Sequence, residues 1–73
     1  EEFMMNDKLA HLREAILGLP AKYRAPFVLS AVQGCGHEEI SETLGISRGM
    51  VRLRLHRALK MLRAGLAAQN IKG

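Results

Sequence analysis

The 73 residues include one cysteine, two prolines and no tryptophan. A lone Cys35 builds neither a disulfide framework nor a cysteine-rich zinc site, and such sparing cysteine use fits a reducing compartment. Aromatic residues are limited to Phe3, Tyr23 and Phe27 although 48% of the chain is apolar, so the core is aliphatic. Alternating β-branched runs are missing, which argues against strands. No apolar run approaches the ~20 residues that a membrane-spanning helix needs, and no signal peptide pattern opens the chain. The expectation is an intracellular protein without membrane insertion. His11, His37 and His56 are scattered and none pairs four residues from another, so no metal site is expected. Ser30, Ser41 and Ser47 have no base-and-acid arrangement around them, and no glycine-rich phosphate loop is present. Neither an enzyme nor a bound cofactor is expected.

Acidic residues are also missing from one stretch, and this is the more telling gap. Residues 1–36 hold four basic and four acidic side chains, whereas residues 37–73 hold seven basic and three acidic. Within residues 46–63 there are six basic residues and no acidic one. Such a block is an electrostatic footprint suited to phosphates. A chain of this length forms one domain and buries only about 60% of the surface exposed when unfolded. The core is therefore thin. Residues 1–6 read as the remnant of a linker, residues 7–66 as the domain and residues 67–73 as a flexible tail.

Hydrophobic spacing predicts an all-α fold of four helices. The first spans about Lys8 to Leu17, with Asp7 as N-cap, Gly18 as terminator and Leu9, Leu12 and Ile16 as its buried stripe. The second lies between Leu19-Pro20 and Gly34, with Pro20 in its first turn and Phe27, Val28, Ala31 and Val32 on its apolar side. Pro26 leaves two readings open: a kinked helix, or regular helix starting only near Ala25. The third is short, from about His37 to Leu44, with Gly36 as N-cap, Glu38 and Glu39 near its positive end, and Ile40 and Leu44 facing inward. Gly45 ends it with positive φ.

The fourth helix follows Ser47, a good N-cap, and runs to about Leu66. At about 100° per residue, Val51, Leu55, Ala58 and Leu62 fall on one narrow stripe. Arg52, His56, Arg57, Lys60 and Arg63 fall on the opposite arc, giving one apolar and one cationic face. Residues 37–56 have helix-turn-helix spacing. Small Ser41 sits where two helices approach, Gly45 lies four residues on in the turn, and Val51 packs back six later. In this motif the first helix crosses the DNA backbone and the second inserts its N-terminal residues into the major groove. There arginine forks meet guanine acceptors, while other cations take phosphates.

Several separate motifs add a resemblance. Leu19-Pro20-Ala21-Lys22-Tyr23-Arg24, Gly34, Glu38-Glu39-Ile40, Leu44-Gly45-Ile46-Ser47, Val51 through Ala58, and Leu62-Arg63 occur in this order. Over about residues 9–66 the chain resembles region 4 of extracytoplasmic-function (ECF) sigma factors. The resemblance implies recognition of the minus thirty-five promoter element, docking on the β flap of RNA polymerase core, an anti-sigma partner, and a place in the bacterial cytoplasm. It places Arg52, Arg54, His56 and Arg57 on the promoter-facing helix, with His37 and Glu38 approaching DNA from the third. Arg48, Met50, Leu53 and Lys60 complete the expected DNA-binding set. The helical wheel sets Arg54 nearer the core edge, where it reaches a phosphate or a neighbouring helix. The chain departs from the family at Met50, where threonine is usual, at Leu53, where serine is usual, and at Leu59, where arginine is frequent. Leu53 sits in the middle of the cationic arc, where an apolar side chain suits a thymine methyl group or a protein partner, or weakens DNA binding. Two further readings remain: a helical module that mainly grips a partner protein, and a helix-turn-helix from another, dimeric regulator.

Overall fold

The computed structural model describes the backbone over residues 2–72 and side chains over residues 9–66. Its elements are α1 (Glu2–Leu17), α2 (Ala21–Phe27) continuing into a π-wound turn (Val28–Val32), α3 (His37–Leu44) and α4 (Arg48–Lys72). Among the described residues there is no strand, as the aliphatic spacing predicts. Helix α1 begins at Glu2, so Asp7 lies inside it and is not its N-cap. The continuous helix carries the chain through the segment expected to be a linker. Likewise α4 runs on to Lys72 instead of stopping near Leu66. The side chains of residues 1–6 and of the tail at 67–73 lie outside the described set.

Pro20 takes the N-cap position of α2, with φ −56° and ψ 149°, one residue ahead of the first helical turn. Its carbonyl accepts from the Tyr23 and Arg24 amides, each at 2.9 Å. The helix passes through a fully buried Pro26, which removes the reading in which regular helix starts near Ala25. Regular α winding then ends at Phe27 and widens over Val28–Val32. Proline's missing N–H and its ring act on the preceding turn, so the wide winding, which follows Pro26, is not their direct product. The wide turn closes with the Gln33 amide donating to the Val28 carbonyl at 3.1 Å.

Helix α4 is the spine, packing on α1, α2 and α3. Leu19, Tyr23, Ala58 and Leu62 form one buried cluster, flanked by Ala15, Ile16 and Phe27. Ile40 of α3 and Val51 of α4 are both fully buried within the helix-turn-helix. The stripe expected on α1 is only partly covered. Ile16 is half-buried, whereas Leu9 is 53% and Leu12 39% exposed. Val32, expected on the apolar side of the second helix, is 68% exposed, and Ala31 is exposed as well. Among the described residues, no side chain covers this part of α1 or the end of the π-wound turn. The uncovered residues line a groove of about 470 Å³, bounded by Leu9, Leu12, Arg13, Ile16, Leu17 and Val32.

Candidate nucleic-acid interface

The α3–α4 connection is three residues, Gly45-Ile46-Ser47, and each has an assigned task. Gly45 adopts φ +69°, a left-handed conformation that costs other residues about 1–2 kcal/mol. This lets the Gly45 and Ile46 amides turn back onto the Ser41 carbonyl, at 2.9 and 3.2 Å. The Ser41 hydroxyl donates to the Ile46 carbonyl, so the small residue ties the turn as well as admitting the second helix. Ser47 caps α4: its Oγ accepts from the Met50 amide at 3.1 Å. Ile40 and Val51 pack between the two helices and fix their crossing.

Burial of Val51, Ala58 and Leu62 sets the rotation of α4. Leu55, on the same stripe, is half-buried. The opposite arc then faces outward, and Arg48, Met50, Arg52, Leu53, His56, Arg57 and Lys60 are all exposed. His37 and Glu38 are exposed at the start of α3. Arg54 is half-buried at the edge of the core, as its wheel position suggests. The structure thus collects nine of the ten residues expected at the DNA surface on exposed faces of the two helices.

The first turn of α4 carries no acidic residue. Arg48 instead stands at the positive end of the helix, a placement that opposes the helix dipole by about 0.3–1 kcal/mol. An anion in front of this end would reverse that sign, because helix N-termini and arginines both attract phosphate.

Three contacts were not foreseen. Arg57 Nη1 lies 3.5 Å from the Tyr23 hydroxyl, joining the outward arc of α4 to the buried tyrosine of α2. This hydrogen bond, with the charges of Lys22 and Arg57, outweighs burial and holds the tyrosine below its ordinary pKa. Lys22 Nζ also stands 5.2 Å from the Tyr23 ring centre. Arg24 Nη1 donates to the Leu17 carbonyl at 3.0 Å, closing an α1 end that has no basic residue of its own in its last turn. Cys35 stays a free thiol. Desolvation pushes its pKa up, and the neighbouring Glu39 carboxylate adds to that. No signal in the spacing pairs positions 34 residues apart, so the Tyr23–Arg57 contact had no counterpart in the sequence reading.

This geometry defines a class: a small helical domain whose helix-turn-helix presents an outward cationic second helix. Residues 9–62 match the profile of "Sigma-70, region 4". The chain belongs to the sigma-70 region 4 family. It is 45% identical over 58 residues to the ECF RNA polymerase sigma factor SigE of Mycolicibacterium smegmatis, covering 80% of this chain and 23% of that protein. RNA polymerase sigma factor CarQ of Myxococcus xanthus is 45% identical over 53 residues, or 73% of this chain and 30% of that protein. RNA polymerase sigma factor SigV of Bacillus subtilis is 33% identical over an alignment 75 residues long, gaps included, that covers 96% of this chain and 45% of that protein. The chain therefore spans less than half the length of these relatives. Among the described residues, no helix is long and apolar enough to cross a membrane.

Proposed function

We propose that this domain recognises promoters for an alternative sigma factor in the bacterial cytoplasm, reading the minus thirty-five element with α4 and docking on the β flap of RNA polymerase. The observation that carries the reading is the acid-free outer face of α4, whose rotation is fixed by buried Val51, Ala58 and Leu62. Arg52 and His56 reach base edges, while Arg48 and Lys60 take phosphates. Arg57 serves both the Tyr23 contact and the DNA-facing arc. Helix α3 lies across the backbone, with His37 and Glu38 at its approach. No catalytic role is assigned, in keeping with relatives that are sigma factors.

The open groove on α1 favours a second surface on the same domain. Leu9, Leu12, Ile16, Leu17 and Val32 offer an apolar seat for a helix, with Arg13 at its lip. The β flap is assigned to this seat, and an anti-sigma segment would compete for it. A Leu12→Asp variant should lose flap binding and keep DNA binding.

The test for DNA is fluorescence anisotropy. A labelled duplex selected by this chain from a randomised pool is compared with its scramble over a salt series. The selected duplex should bind more tightly, with log affinity falling by roughly 0.9 per phosphate contact for each unit of log salt. Arg52→Gln should weaken binding and relax discrimination between the two. Equal affinity for selected and scrambled duplexes in every salt would remove the base-reading assignment.

A further inference from the structure

The outward face of α4 is not uniformly cationic, and the exception lies where a recognition helix is inserted deepest. Leu53 stands about 200° from Val51 around the helix, diametrically opposed to the buried stripe, and it is 39% exposed. Met50, three residues earlier, is also 39% exposed. One turn before Leu53, on the same outward line, is Gly49. A Cβ there would meet nothing closer than the Ser47 Oγ at 3.9 Å. Gly49 has no positive φ. Neither packing nor backbone conformation within the domain requires glycine at this position. Yet glycine in a helix is disfavoured against alanine. The remaining physical use of a missing side chain is close approach by something outside the chain.

We infer that Gly49, Met50 and Leu53 form a low, apolar reading head that seats the first two turns of α4 against thymine methyl groups in the major groove. The inference rests on the DNA-binding reading above and adds to it the base that is read and the residues that read it. Charge decides the occupant. Arg48, Arg52, His56, Arg57 and Lys60 surround the apolar head without an acidic residue among them on α4, which favours a polyanion over an apolar protein surface. In the major groove the thymine C5-methyl is the one apolar group on a base edge. Leu53 cannot donate a hydrogen bond, so it discriminates by the methyl alone, while its cationic neighbours hold the backbones. Gly49 lets the helix axis approach until Leu53 makes contact.

The test uses the duplex selected by this chain from a randomised pool, prepared once with thymine and once with uracil at each thymine in turn. Uracil pairs identically and lacks only the methyl. At the read positions the native chain should bind the uracil duplex roughly four-fold more weakly per methyl. Leu53→Ser should bind thymine and uracil duplexes equally at the position that Leu53 reads. Gly49→Ala supplies an independent reading with opposite signs: it should raise the melting temperature and lower DNA affinity. Because both positions are exposed, circular dichroism should show an unchanged fold. Sequence-selective, salt-dependent binding that ignores every thymine-to-uracil change would overturn the reading head and leave the DNA-binding reading intact. Unchanged affinity in Gly49→Ala would overturn the close approach. If no duplex is selected above scramble, the DNA-binding reading fails and this inference falls with it.

Discussion

Substituting Val51 and Leu53 one at a time by alanine should divide the stability of the domain from its recognition surface. The two residues are separated by one position on α4, yet Val51 is fully buried and Leu53 is 39% exposed. Val51→Ala removes two methyl groups from a closed site. Transfer accounts for about 1.6 kcal/mol at ~0.8 per methyl, and the residual cavity adds to it. Alanine's better helix propensity returns up to about 0.5 kcal/mol. The net loss is about 1.5–2.5 kcal/mol, a large share of the ~3–5 kcal/mol that a core in this size range supplies. For a domain this small, each 1 kcal/mol shifts the melting temperature by about 4–8 °C. Thermal melts followed by helical circular dichroism should therefore show Val51→Ala lower by about 6–20 °C. Leu53→Ala should fall within about 0.5 kcal/mol of the native chain. If Leu53→Ala destabilises as much as Val51→Ala, α4 is rotated by half a turn from the orientation described. The outward face assigned to DNA would then be the core.

Three further outcomes follow from local geometry. Ser47→Ala removes the acceptor for the Met50 amide and should cost about 1 kcal/mol, with Ser47→Asp recovering most of it, read in the same melts. Gly45→Ala should cost about 1–2 kcal/mol because φ is +69°, and Gly45→Asn should cost less because asparagine tolerates that region. Tyr23 is the chain's one tyrosine, so its ultraviolet titration is unambiguous. The native midpoint should lie below the ordinary value of 10.0, and Arg57→Gln should move it upward by removing the hydrogen bond that is the main cause. A tyrosine with a lowered folded-state pKa contributes stability only once it ionises. This contribution is absent at neutral pH, grows as pH rises through the folded value, and is complete above the unfolded value.

Legibility of this chain from sequence followed the strength of the local signal. The helix-turn-helix was readable because its parts are short-range: Gly45 four residues from Ser41, Ser47 beside α4, and a wheel that separates Val51, Ala58 and Leu62 from the cations. Each was found in its expected place. The ends of the outer helices were less readable. Asp7 resembles an N-cap by residue type alone, but the helix continues to Glu2 because nothing between them forbids it. The same holds for α4 beyond Leu66. Pro26 posed a choice that local rules could not make. The α winding continues through a fully buried ring, which is a tertiary outcome. The α1 stripe shows the opposite limit. Spacing identifies an apolar face, but it does not say whether a partner surface within the chain covers it. Leu9, Leu12 and Val32 remain open and line an exposed groove, the surface proposed for a partner. Gly49 carries no signal of a turn, and the proposed close approach rests on the empty space around it.

Which surface of the domain meets DNA is the central question. Amide chemical shifts of the labelled chain, followed by NMR while the selected duplex is added, address this residue by residue. Perturbations should concentrate at His37 and Glu38 and at Arg48, Gly49, Arg52, Leu53 and His56, with Leu12, Ile16 and Val32 unmoved. Perturbations centred on the α1 groove with a silent N-terminal half of α4 would contradict the assignment of α4 to DNA.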